Sequence, residues 1–249
     1  MSETIRYLPR PDGERLAWRR IEGEGPTVVW LGGFRSDMTG TKAQSLADWA
    51  AGRGRRFLRF DYFGHGASSG DFIDGSITRW REDALAVIDE LTHEHLVLAG
   101  SSMGGWLACL AAAARPDRVC ALVLIAPAPD FTEALMKPGL PPEAVRALEK
   151  HGQWITPGGP GEAGYPITRT LLEDGARWSI LPGPVPIHCP VRILQGGRDA
   201  SVPWTHALEL AHAIEGQDVV FSLIKDGDHR LSRPQDLDRL IAVLEELAA

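Results

Sequence analysis

Ser102, Asp199 and His229 are three residues whose types, taken together, can carry out acyl transfer, and each stands just beyond an apolar, strand-like run. Ser102 lies in "GSSMG" (100–104), where Gly100 and Gly104 flank it at two residues on either side. Small neighbours at those places let a serine occupy a tight, strained turn. Ser101 does not fit the pattern, because Ala99 and Met103 flank it. A serine hydroxyl is a weak nucleophile at neutral pH and needs a histidine base, with an acid to fix that histidine's tautomer. "LQGGRDASVP" (194–203) supplies Asp199 and "KDGDHRLS" (225–232) supplies His229. Other histidines are placed less well: His93 and His95 abut the wrong end of the strand before Ser102, and His206 and His212 fall inside a helical pattern. Asp226 and Asp228 are too close in sequence to His229 to face its ring from the required side.

Attack on a carbonyl also needs two convergent N–H donors for the oxyanion. The residue after the nucleophile, Met103, offers one, and the "LGGF" turn (31–34) offers the Phe34 amide behind two glycines. Taken alone, a Gly/Ser-rich strand-to-helix turn serves equally well as a plain connection or a phosphate loop. Its coincidence with Asp199, His229 and the second turn favours catalysis.

The elements needed to hold these groups are legible. "TIRYL" and "RLAWRRI" flank a Pro-Asp-Gly turn and predict an opening antiparallel hairpin. Apolar runs at 27–33, 56–62, 95–100, 120–127, 191–197 and 218–224 then alternate with helical patterns, which predicts an α/β fold: a mainly parallel sheet flanked by helices. The alternation breaks once, over 128–188, after the sixth strand. Short helices are predicted near Glu143–Lys150 and Thr168–Asp174, around the Gly/Pro-rich "ITPGGPGEAGYP". Such an insertion over the C-terminal edge of a sheet is placed to act as a small lid. Its Phe131, Leu135, Met136, Trp154 and Trp178 are the expected apolar lining for an acyl group.

The 249 residues, 44% hydrophobic, suffice for one α/β domain over 1–249 without disulfide or metal support. A formal charge of −7 with scattered basic residues disfavours nucleic acid and anionic membranes. "RGRR" (53–56) reads as a solvated helix C-terminus. Cys109, Cys120 and Cys189 have neither disulfide nor zinc spacing, and no metal or cofactor is expected. No signal core or run of about 18 apolar residues is visible, so the expectation is a cytoplasmic protein that does not span a membrane.

"FDYFGHGASSG" (60–70) adds Asp61, Gly64, Gly66 and Ser68 in a D-x-x-G-x-G-x-S pattern. With it the chain resembles the α/β-hydrolase superfamily, where the triad runs in the order Ser, Asp, His and this motif is structural, which excuses His65 as a base. "SDMTGTKA", "GSSMGGWL", "CPVRILQGGRDASVPW" and "DHR" look like the subfamily of mycophenolic acid acyl-glucuronide esterase and palmitoyl-protein thioesterase. The resemblance implies a cofactor-free serine hydrolase acting on esters or thioesters of small molecules or acylated proteins, with Ser102, Asp199 and His229 as triad. A serine at the elbow argues against a dehalogenase or epoxide hydrolase, which need a carboxylate there. Two alternatives stay open: a serine peptidase or amidase on the same triad, and a binding protein that keeps the fold without the chemistry.

Overall fold

Eight strands form one sheet in the order β1 (Arg6–Pro9), β2 (Arg15–Ile21), β4 (Arg55–Phe60), β3 (Glu24–Leu31), β5 (Leu96–Ser101), β6 (Val119–Ile125), β9 (Val191–Gly196) and β10 (Val219–Ile224). The computed structural model describes residues 4–158, 163–181 and 183–247. The predicted hairpin is β1 (Arg6–Pro9) against β2 (Arg15–Ile21), and β2 continues antiparallel onto β4 (Arg55–Phe60). From there β3 (Glu24–Leu31), β5 (Leu96–Ser101), β6 (Val119–Ile125), β9 (Val191–Gly196) and β10 (Val219–Ile224) are all parallel. All six residues of β5 are buried, as a central strand covered on both faces requires.

Two apolar layers close the sheet. On one face α1 (Thr41–Arg53) and α7 (Pro234–Leu247) pack Leu46, Trp49, Leu240 and Leu244 against Val28, Phe57 and Val97. On the other, α2 (Ile77–Leu91), α3 (Met103–Ala114) and α6 (Trp204–Ala213) pack Trp80, Trp106, Leu107 and Leu210 against Leu58, Leu98 and Leu122. Gly54 ends α1 in the left-handed conformation at φ 63°, so the basic "RGRR" does mark a helix end turning into a strand.

The strand order reverses beside β3: the chain leaves it for β4 on one side and returns to β5 on the other. Loops diverging at such a point open a crevice at the C-terminal edge of the sheet, here between the "LGGF" turn and the turn carrying Ser102.

The break between β6 and β9 holds α4 (Pro142–His151), α5 (Arg169–Arg177) and an antiparallel pair that the sequence did not announce, β7 (Gln153–Ile155) with β8 (Pro166–Thr168). Three-residue strands are too short to show an alternation. Residues 159–162 of the Gly/Pro-rich stretch lie outside the described residues. The insertion has a small apolar centre of its own, Leu148, Ile167 and Leu172. It is tied to α2 through Asp174, which accepts from the amide and hydroxyl of Thr78, each at 2.7 Å, while Asp130 joins the insertion's own two ends by accepting from the amides of Ile180 and Leu181.

Candidate active site

The turn between β5 and α3 is a sharp elbow. Ser102 sits there with φ 55° and ψ −119°, a conformation that costs a non-glycine residue on the order of 1–3 kcal/mol. It is held by main-chain bonds: its amide donates to the Ile125 carbonyl at 2.9 Å, and its carbonyl accepts from Ala128 at 3.1 Å. A Cβ on Gly100 would collide with the Gly104 carbonyl, and one on Gly104 with the Leu31 carbonyl, so the G-x-S-x-G glycines are required by close backbone approach.

Asp199 follows β9 and His229 follows β10, and the two loops meet. His229 Nδ1 donates to Asp199 Oδ2 at 2.8 Å. The other carboxylate oxygen accepts from the amides of Ser201 (2.9 Å) and Val202 (2.8 Å). Burial of Asp199 opposes its ionisation, but the bond from His229, the Val202 amide and the nearby histidine charge outweigh it and hold the carboxyl below its usual range. The acids nearer in sequence are engaged elsewhere: Asp226 pairs with Arg233 at 2.7 Å, and Asp228 accepts from the Leu231 amide at 3.0 Å.

A fully buried residue missed by sequence reasoning joins this network. Gln195, at the end of β9, donates from Nε2 to Asp199 Oδ2 (3.1 Å) and to the Val202 carbonyl (3.0 Å), so Oδ2 has two donors aimed at it. A glutamine in an apolar strand gives no signal of such a role; only the register of β9 reveals it.

The "LGGF" turn presses on the elbow. A Cβ on Gly33 would lie 3.4 Å from Ser102 Cβ. Past it, Arg35 adopts φ 59° and donates its amide to His65 Nε2 at 3.2 Å, while His65 Nδ1 faces the Phe63 carbonyl at 3.0 Å. Burial pushes the His65 pKa down, which fits a neutral ring that donates at Nδ1 and accepts at Nε2. His65 therefore fastens the turn, a role beyond its exclusion as a base. The Phe34 and Met103 amides have no hydrogen-bond partner among the described residues. The rest of the motif is a clasp: Asp61 accepts from the amides of Met38 (2.6 Å) and Ala67 (2.8 Å), and Ser68 Oγ donates to the Asp61 carbonyl at 2.6 Å.

Ser102, His229, Phe34 and Gly33 line one cavity of about 310 Å³, together with Arg35, Lys42 and Arg230. A larger depression of about 760 Å³ between α1 and α7, around Trp49 and Ile241, meets it at Thr41 but has neither Ser102 nor a histidine on its wall. None of the five insertion residues expected around an acyl group lines the Ser102 cavity. Phe131 packs behind its wall, with its ring 5.5 Å from that of Phe34. Trp178 donates to Thr78 Oγ1, Trp154 packs on the insertion's own apolar centre, and Leu135 and Met136 pack on the main core.

A family model described as serine aminopeptidase, S33, matches residues 26–170. The palmitoyl-protein thioesterase ABHD10, mitochondrial, of Rattus norvegicus is 36% identical over 98% of this chain and 82% of the rat protein. The chain belongs to the α/β-hydrolase superfamily. Two solved structures show how fully the hydrolase fold is shared. A putative hydrolase from Agrobacterium vitis is 42% identical with a TM-score of 0.94 over all of both chains. Mouse α/β hydrolase domain-containing protein 10 is 34% identical with a TM-score of 0.89 over 98% of each. Among the described residues of this hydrolase no helix is long and apolar enough to cross a membrane. The compartment in the rat relative's name is the mitochondrion, which does not support the cytoplasmic expectation.

Proposed function

We propose that the protein hydrolyses carboxylic esters and thioesters, with a preference for thioesters, through an acyl-enzyme on Ser102. The observation that carries the reading is the 2.8 Å bond from His229 to Asp199 on the cavity that also contains the strained Ser102. The relatives named palmitoyl-protein thioesterase add support for the substrate class.

In the proposed cycle Ser102 Oγ attacks the acyl carbon as His229 Nε2 takes its proton. The tetrahedral oxyanion lies between the Phe34 and Met103 amides. Collapse breaks the bond to the thiol or alcohol, which leaves with the proton from His229. Water, deprotonated by His229, then attacks the acyl-serine; the carboxylic acid departs and Ser102 regains its proton. Asp199, itself held by Gln195, keeps the imidazole proton on Nδ1 throughout. The acyl chain extends under the 128–188 insertion.

A fluorophosphonate probe is expected to label Ser102. Acyl-cysteine thioesters and p-nitrophenyl esters are expected to turn over well ahead of aminoacyl p-nitroanilides. Faster cleavage of the anilides would favour the peptidase reading carried by the family model's description. The cavity disfavours that reading, since Arg35, Lys42 and Arg230 outnumber the Asp37 carboxylate on its wall and would repel the α-ammonium of an aminopeptidase substrate.

The oxyanion donors are testable because one of them is a main-chain amide of a replaceable residue. Phe34→Pro removes that N–H and is expected to cost about 10²–10³ in kcat, whereas Phe34→Leu, which keeps it, is far milder. Circular dichroism and melting curves must show both variants folded. Equal rates would move the second donor to Gly33, since the Arg35 amide already serves His65.

A further inference from the structure

Among the described residues the sheet ends on β10, with no strand paired to its outer side. An open strand edge is a template for another strand, and proteins that stay apart guard it with brevity, proline, charge or a bulge. The other edge is guarded in this way: β1 has four residues, opens on Arg6 and closes on Pro9. β10 has no such guard. Its six residues contain neither charge nor proline, run against β9 without a register shift, and leave Val220 and Leu223 45% and 47% exposed.

The direction of its free groups follows from the bonds it already makes. The carbonyls of Asp218 and Ile224 accept from the amides of Val191 and Gly197. Alternate residues of a parallel strand serve one neighbour, so the amides and carbonyls of Val219, Phe221 and Leu223 face outward. Side chains divide by the same count: Ile224 packs with α7 on one face, and Val219 and Phe221 pack with the layer of α6 on the other. Two copies of a strand that pair across a two-fold axis keep the faces of the sheet, so the residues set opposite each other must lie on one face. Centred on Ser222, such a pairing sets Asp218 against Asp226 at both ends; centred on Val220, it leaves Leu223 facing Gln217. Centred on Phe221, it sets the outward-facing groups of each copy against those of the other and Leu223 against Val219. Val220 of each copy then stands opposite Ser222 of the other, at a groove of about 440 Å³ lined by Ser222, Ile224, Ala242 and Val243. Both exposed apolar side chains are covered. The charges also agree: Lys225, which among the described residues forms no ion pair, comes opposite Gln217 and next to Asp218, while Asp218 and Asp226 keep Arg192 and Arg233.

We infer that β10 is the pairing edge of a homodimer, in which a second copy of this chain adds its own β10 antiparallel across a two-fold axis at Phe221 to make one continuous sheet. The interface is isologous, and each copy offers the Val220 knob and the Ser222–Val243 groove to the other.

Sedimentation velocity of the full chain, from low to high micromolar concentration, is expected to show a concentration-dependent species of twice the 27.1 kDa chain mass. Val220→Lys changes an exposed position, so its melting temperature is expected to match that of the monomeric parent, while its dimer dissociation constant rises at least about tenfold. A pair of cysteines tests the register. Positions 220 and 222 of opposite copies form a non-hydrogen-bonded pair with Cα atoms about 4.5 Å apart, within disulfide reach. Mild oxidation of the double variant Val220→Cys, Ser222→Cys is expected to give a covalent dimer, whereas the parent and each single variant, with no thiol opposite, stay uncrosslinked. A parent that remains monomeric throughout, a dimer that Val220→Lys leaves intact, or crosslinking by a single variant in place of the double would each overturn the inference.

Discussion

Ser102→Ala is expected to lower kcat by about six orders of magnitude, because removal of the nucleophile from a triad that acts as a unit leaves only the contributions of binding and the oxyanion donors. The elbow gives the comparison its control. Ser101 is the buried last residue of β5; it shares the cavity wall but sits before the strained elbow and outside the G-x-S-x-G pattern, so Ser101→Ala is expected to leave most activity. Steady-state rates with a p-nitrophenyl ester, together with mass analysis of the acylated protein, separate the two. A Ser102→Ala enzyme that still accumulates an acyl-serine, or equal losses in both variants, would show that the nucleophile had been misassigned.

Asp199→Asn is expected to cost on the order of 10⁴ in kcat with the fold intact. The physical reason lies in the hydrogen-bond directions around the carboxylate. Ser201 and Val202 amides both donate to one oxygen, so an asparagine must turn its carbonyl there and its NH₂ toward His229 and Gln195. His229 Nδ1 then has to accept, which moves its proton to Nε2 and blocks transfer from Ser102. Gln195 Nε2 would meet a second donor, and turning the amide over would sacrifice its bond to the Val202 carbonyl. Asp226→Asn touches only the exposed pair with Arg233, whose attraction solvent screens, and is expected to change kcat little. If Asp226→Asn were the damaging change, the acid would lie on the wrong loop in this account.

The parallel sheet was readable because each strand is an apolar run closed by Gly, Asp or Pro, and because the helices between them keep their 3.6-residue period. G-x-S-x-G was legible for a steric reason, since only glycine fits where Gly104 meets the Leu31 carbonyl. The roles of Gln195 and His65 were not legible. His65 depends on a distant turn, at Arg35, and Gln195 on how the loop after β9 folds back to Asp199 and Val202; residue type alone encodes neither. The short β7–β8 pair escaped notice because Gln153–Ile155 and Pro166–Thr168 are each too brief to carry a period. The apolar residues of the insertion show a further limit: Trp178 looked free to meet a ligand, yet its indole is bonded to Thr78 and its carbonyl accepts from Trp106.

Among the described residues five non-glycine positions have positive φ: Arg35, Ser102, Ala126, Asp130 and Leu231. Arg35 follows β3, Ser102 follows β5, Ala126 and Asp130 follow β6, and Leu231 follows β10, so all of them sit on one rim of the sheet. At about 1–3 kcal/mol each, these conformations together rival the whole stability margin of an ordinary domain. The opposite rim and the two helix layers must supply the surplus that keeps them in place. For directed evolution this divides the molecule: stabilising substitutions sought in the scaffold are free to accumulate, whereas those that relax the strained rim gain heat resistance at the expense of turnover.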